Sequence, residues 1–156
     1  MALVRILVDG YSLLHGWPDL APGRPRHSAA ARDELVRVLT LYRDACGTPV
    51  TVVFDAGNAP DHVPRSESSP DCEVLYSKSG QTADDVIERA THRLLEYGDV
   101  LVVTNDTAEQ ETVRALGGSA IDCDPFIRMI EDSLLELELD VKRHNSKERT
   151  RFLRST

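Results

Sequence analysis

Aromatic side chains are scarce in this chain, with one Trp, four Tyr and three Phe among 156 residues. That scarcity excludes an extended platform on which successive bases would stack. Cys46, Cys72 and Cys123 form no CxxC pair and leave an odd thiol, so neither a disulfide framework nor a zinc site is expected. No run approaches the roughly 20 apolar residues that a membrane span needs. The opening MALVRILVDG has a short apolar stretch, but Arg5 interrupts it and Asp9-Gly10 ends it, so it reads as a first strand and not as a signal peptide. The length suits one ordinary domain. A soluble, cytoplasmic protein with no membrane partner is the expectation.

Positive charge is also short, and the net charge of −8 argues against strong nucleic-acid binding, which draws on Lys and Arg. Its distribution matters more than its sum. Residues 1–141 carry 12 basic and 25 acidic side chains, whereas residues 142–156 carry six basic and one acidic. The expected organisation is therefore an acidic domain over 1–141 followed by a basic C-terminal tail over 142–156. An ordinary solvated helix end explains such a tail as readily as a binding role does.

What the chain does have is alternation. Apolar runs at Leu3 to Val8, Val50 to Phe54, Glu73 to Tyr76, Val100 to Thr104 and Ser119 to Ile121 alternate with helical patterns, as in a parallel sheet covered on both faces. The runs ILV, VTVVF and VLVVT are β-branched and nearly continuous, which fits strands buried on both sides. Helices are expected over Ala29 to Cys46, from Thr82 toward Gly98, over Thr107 to Leu116, and from Asp124-Pro125 onward. Gly16 to His27 and Ala56 to Asp71, rich in Pro, read as irregular.

Four acids fall at strand ends or in a first helical turn: Asp9, Asp55, Asp84 and Asp106. In open parallel sheets the C-terminal strand ends form the ligand crevice, so these side chains are expected in one region. Like charges brought together oppose one another's ionisation, and a hard oxygen-liganded cation such as Mg2+ or Mn2+ removes the conflict. Each acid also has an ordinary explanation as a turn former, helix cap or dipole partner. Helical geometry separates Asp84 from its neighbour: relative to the stripe of Ala83, Ala90 and Leu94, Asp84 lies roughly 100° around and Asp85 roughly 200°. Asp84 is the candidate ligand, and Asp85 the capping residue.

The segments ILVDGYSLL, VVFDA, QTADDVIE and VVTNDTAEQ resemble, in that order, the motifs of the NYN nucleases among the PIN-like ribonucleases, and specifically of their YacP-like branch. The resemblance spans roughly residues 3 to 141. It implies a PIN-like three-layer α/β fold with a mainly parallel sheet of four or five strands, and a metal-dependent endoribonuclease whose metal-binding acids match Asp9, Asp84 and Asp106. The expected partner is RNA, mRNA first, with the ribosome as a further candidate; the oligomeric state stays open. The family usually has Asn three residues after the first Asp, where this chain has Ser12, and Asn105 replaces the Ser common before the last Asp. Glu109 and Gln110 match the EQ of the branch, as candidates to orient a water near the site.

On this reading Asp9 and Asp106 hold the principal ion and Asp84 completes its shell or holds a second, while Asp55 and Ser12 support the chemistry. Tyr11 is a candidate for stacking on a base, and Arg24, Arg26, Lys78, Gln110, Lys142 and Arg143 for contacting the RNA. Trp17 is expected to pack. The histidines are scattered, with His15 nearest the site and no pair at helical metal-binding spacing. Two rivals stand beside the nuclease. A haloacid-dehalogenase-like phosphatase needs a second Asp where Tyr11 stands. A non-enzymatic RNA- or ribosome-binding module of the same fold would account for Ser12 and the low basicity.

Overall fold

The β-branched runs form the centre of the molecule. In the computed structural model, which describes residues 2–56 and 72–154 with side chains to Arg151, five strands pair in the order β3-β2-β1-β4-β5. They are β1 (Leu3–Asp9), β2 (Val50–Phe54), β3 (Cys72–Tyr76), β4 (Asp99–Val103) and β5 (Ser119–Ile121), and every pairing is parallel. Helices α1 (Gly10–His15), α2 (Ala29–Cys46), α3 (Ala83–Leu94), α4 (Thr107–Leu116) and α5 (Cys123–Arg154) complete the described chain. This is the three-layer α/β fold expected from the sequence, with five strands. Beyond Ala56, the irregular segment expected up to Asp71 lies outside the described residues.

Alternation along each strand sorts the core into two halves. Ile6, Val8, Val52 and Phe54 face α1, α2 and α5, where Leu13, Leu14, Leu35, Leu39, Phe126 and Ile130 are buried. Leu7, Val53 and Val102 point to the opposite face, against Ala83 and Ile87 of α3 and Val113 of α4. Central strands covered on both faces have no polar side, which is why their sequences read as continuous apolar runs. Among the described residues no helix is long and apolar enough to cross a membrane.

Helix limits follow local chemistry. Ser28 caps α2, and Gly47, at φ 79°, ends it in the left-handed conformation that glycine adopts without strain. Thr82 and Asp85 form a reciprocal capping box on α3, which ends at Leu94, short of Gly98. Helix α5 begins at Cys123, ahead of the Asp124-Pro125 start that the sequence suggests, and continues unbroken through residues 141 and 142 to Arg154. From Leu135 onward its described side chains are exposed.

Helix α1 was not legible as a helix, because six residues are too few to show a period. It matters for the site, since it turns the chain sharply away from the end of β1. A Cβ at Gly10 would overlap the ring of Phe54, so this glycine is required by the close approach of β2 to α1 and not by a turn conformation. We expect Gly10→Ala to destabilise the protein by about 1–3 kcal/mol, as overpacking does elsewhere. Phe54→Leu, introduced with it, should recover part of that loss. Urea denaturation of the two variants checks this, and an unchanged midpoint for Gly10→Ala would show that Phe54 moves aside freely.

Candidate metal centre

Strand order places the candidate site. The chain winds from β1 to β2 and β3, then crosses back to β4 and β5 on the other side of β1, so adjacent strands β1 and β4 lead away in opposite directions. Ligands of open α/β sheets bind at such a switch point, outside the carboxyl ends of the strands. Asp9 ends β1 and is also the N-cap of α1, with Ser12 N–H donating to its Oδ1 at 3.3 Å. Asp84 lies in the first turn of α3, and Glu109 in the first turn of α4.

These three carboxylates converge: one oxygen from each of Asp9, Asp84 and Glu109 lies within 4.8 Å of the others. Glu109 is 6% exposed; its Oε2 accepts from the Thr104 hydroxyl at 2.9 Å, and its Oε1 is buried with no hydrogen-bond partner. A buried carboxylate oxygen without a donor, beside two further carboxylates, calls for a shared proton or a hard cation, and an all-oxygen donor set suits Mg2+ or Mn2+ better than a soft ion. The residues present therefore fit the divalent metal that the fold implies.

Electrostatics agree with geometry. Burial pushes the Asp9 carboxyl up to about 6, opposed by the Ser12 N–H and by a hydrogen bond with Glu109, and reinforced by the charge of Asp84 with a smaller push from Asp106. Burial also lifts Glu109, to about 9, helped by a proton shared with Asp84 and by the charges of Asp9 and Asp84, and opposed by Thr104. In the metal-free protein the carboxylate group thus holds a proton to higher pH than separate acids would.

Asp9 and Asp84 sit together as expected from the sequence, and Asp85 caps α3. Asp106 lies near enough to act on Asp9, but its Oδ1 caps α4 by accepting from Ala108 N at 2.9 Å and Glu109 N at 3.3 Å. Glu109, which the sequence made a candidate to orient a water, joins Asp9 and Asp84 within 4.8 Å, whereas Asp106 lies outside that group. The signal was available, since Glu109 follows the cap by three residues and a side chain there turns inward, but a capping Asp and a ligating Asp look alike in sequence. Asp55 stands beyond the neighbouring strand β2, where the Ser77 hydroxyl approaches its Oδ1 at 3.4 Å, outside the carboxylate group.

Several proposed contacts to substrate are corrected. Tyr11 is 5% exposed, packs on His27 and Phe54 at ring-centroid distances of 4.3 and 5.1 Å, and so has no free face for a base. Arg26 spends its guanidinium on the carbonyl oxygens of Leu14, Trp17, Leu20, Ala21 and Arg24, locking the 16–27 loop. Gln110 is buried, and its amide nitrogen donates to Thr104 O and to Asp122, both at 2.7 Å. The Ser12 hydroxyl, the candidate to support the chemistry, accepts from Asn105 N at 2.9 Å and so ties α1 to the turn after β4. Trp17 packs against the main core as expected. Arg24 and Lys78 are exposed, as are Lys142 and Arg143, which pair with Glu138 at 3.3 Å and Asp140 at 3.4 Å.

Comparison with known proteins converges on one group. The model of the YacP-like NYN domain matches residues 6–155. The chain is 28% identical over 142 residues to the uncharacterized protein YacP of Bacillus subtilis strain 168, covering 90% of this chain and 83% of that one. Its fold superposes on the crystal structure of Rae1 (YacP) from Bacillus subtilis with a TM-score of 0.83 at 27% identity, over 96% of this chain and 85% of that one. A mutant of that protein gives 0.78 at 27% identity, over 92% and 85%.

The raised carboxyl groups make metal-free stability depend on pH. An unfolded Glu releases its proton near 4.5, while the folded Glu109 holds it to about 9; between these values the folded state binds more protons, so rising pH favours unfolding. Below 4.5 both states are protonated and the contribution is fully present. In chelator, Tm should fall as pH rises through this window, and Glu109→Gln should flatten the fall. Thermal melts across the range check it, and equal slopes for wild type and variant would remove Glu109 as the cause.

Proposed function

The chain belongs to the YacP-like NYN domain family, nuclease-like proteins of PIN-like fold, and from that membership we propose that it is a metal-dependent endoribonuclease. The observation that carries this reading is the convergence of Asp9, Asp84 and Glu109 around a buried carboxylate oxygen with no partner. A bound Mg2+ or Mn2+ would supply an activated water and offset charge on the phosphate oxygens.

The chain's own groups do the positioning. Asp9 and Asp84 supply carboxylate oxygens from two different elements, and Glu109 adds a third that must lose its proton when the ion enters. The Thr104 hydroxyl fixes Glu109 by donating to Oε2, while its oxygen accepts Asp106 N–H at 3.1 Å. Asp106 in turn fixes the first turn of α4 from which Glu109 projects. Asp55, at the adjacent strand end, is placed to orient a water at the margin. Exposed Arg24 and Lys78, with Lys142 and Arg143 from their surface ion pairs, are cations that would attract an RNA backbone, with their effect screened by salt. The phosphatase alternative lacks its second acid, because Tyr11 occupies that place and is buried.

The test is cleavage of labelled single-stranded RNA by the purified protein in Mg2+ or Mn2+. Cleavage should be abolished by chelator, and Asp9→Asn, Asp84→Asn and Glu109→Gln should each lower the rate by about 100-fold or more, the scale on which one charge-stabilising group acts elsewhere. Thr104→Val should raise the metal concentration needed for half-maximal activity about 10–100-fold, as loss of a residue supporting a ligand does. RNA bound but left intact in both ions would make the chain a binding module of this fold instead.

A further inference from the structure

Beside α1, a buried positive charge has no carboxylate partner among the described residues. Arg32 of α2 is 1% exposed, and its Nη1 donates to the His27 carbonyl oxygen at 2.6 Å and to the Tyr11 hydroxyl at 3.4 Å. Its Nε is buried with no partner, and no carboxylate pairs with it among the described residues. A guanidinium taken out of water without a counter-charge is costly, which is why buried arginines are normally paired.

Beside it the imidazole of His27 packs on Tyr11, and its Nε2 lies 3.3 Å from Nε2 of the exposed His15, while its Nδ1 is buried without a partner. Burial, His15 and Arg32 all hold His27 below the usual imidazole range, and no carboxylate opposes them. His27 immediately precedes the cap of α2, an 18-residue helix whose first turn holds no acidic residue and begins with exposed Ala29 and Ala30. A helix end of that polarity favours an anion.

That approach is a hydrogen bond between the two rings, one Nε2 donating to the other, and two kinds of ligand could take the place of the shared hydrogen. A tetrahedral metal ion with bonds of about 2.05 Å would place two nitrogens about 3.3 Å apart, the separation seen here. Arg32 decides against it: a second cation would add to an uncompensated buried charge, whereas an anion removes the imbalance. Nor does a third metal-ligating side chain join the pair among the described residues.

We propose that His15 and His27, backed by Arg32 and the N-terminus of α2, form a subsite for a phosphate group of the RNA strand. His15 stands six residues from Asp9, about 9 Å along α1, too far for the phosphate being cut. It receives a neighbouring phosphate and fixes the direction in which the strand crosses the site. Only the identity of the ligand rests on the nuclease reading.

The experiment measures binding of a labelled single-stranded oligoribonucleotide by fluorescence anisotropy in chelator, so that no cutting intervenes. His15→Gln and His27→Gln, confirmed as folded by thermal melts, should each weaken Kd about threefold to tenfold. Together they should lower the slope of log K against log salt by about 0.7, the contribution of one single-strand phosphate. Ring nitrogen resonances of both histidines should shift on adding the strand, and a single neutral methylphosphonate linkage at the matching position should abolish the effect of His15→Gln. Unchanged affinity and salt slope, or no binding by wild type, overturns the subsite. Saturation of the histidine shifts by inorganic phosphate as tightly as by the strand also overturns it, in favour of a free-anion site. Loss of cleavage with the histidine effect intact removes the nuclease reading alone, and cleavage without a histidine effect removes the subsite alone.

Discussion

Three carboxyl groups from three separate helices and strands meet within 4.8 Å at the edge of the sheet, and the arrangement is tolerable only with a proton or a cation between them. Much of the surrounding structure holds that conflict in place. The Ser12 N–H steadies Asp9, the Thr104 hydroxyl steadies Glu109, and Asp106 fixes the start of α4. Burial makes the conflict sharper, because Glu109 is shielded from the water that would otherwise screen it. The same shielding makes a bound ion more effective, since charges inside such a site interact more strongly than at the surface. On the proposed reading, exchange of the Glu109 proton for a metal would couple loading of the site to stability.

The sheet was legible because its strands are buried on both faces, which leaves the β-branched runs uninterrupted. Asp9 and Asp84 were legible for a related reason: the end of a parallel strand and the inward side of a first helical turn are positions fixed by local geometry. Glu109 was not, because Asp106 competes for the same inference and only the folded α4 shows which acid caps and which turns inward. Tyr11 and Arg26 failed differently. An aromatic residue two positions after the first Asp, and an arginine in a Pro-rich loop, suggest contact with a ligand when read alone. Their partners, Phe54 and His27 for one and five loop carbonyls for the other, are set by packing between elements that the local sequence does not specify.

The two residues at which this sequence departs from the pattern it resembles are neighbours in the fold. The pattern that this sequence resembles has an amide side chain after the first Asp and a hydroxyl before the last; here Ser12 and Asn105 interchange them, and the two residues touch. The Ser12 hydroxyl accepts Asn105 N–H at 2.9 Å, and the Asn105 side-chain oxygen accepts Cys123 N–H at 2.8 Å. The Ser12 contact is to the backbone of Asn105, and the Asn105 side chain reaches instead to the start of α5. Ser12 therefore does not leave a gap at the carboxylates. It ties α1 to the turn after β4, and Asn105 ties that turn to α5, so the segment bearing Asp9 and the segment bearing Asp106 and Glu109 are held at a fixed separation. A carboxylate cluster whose members repel one another needs such a tie, because without it the turns would relax apart and the buried oxygen of Glu109 would reach water.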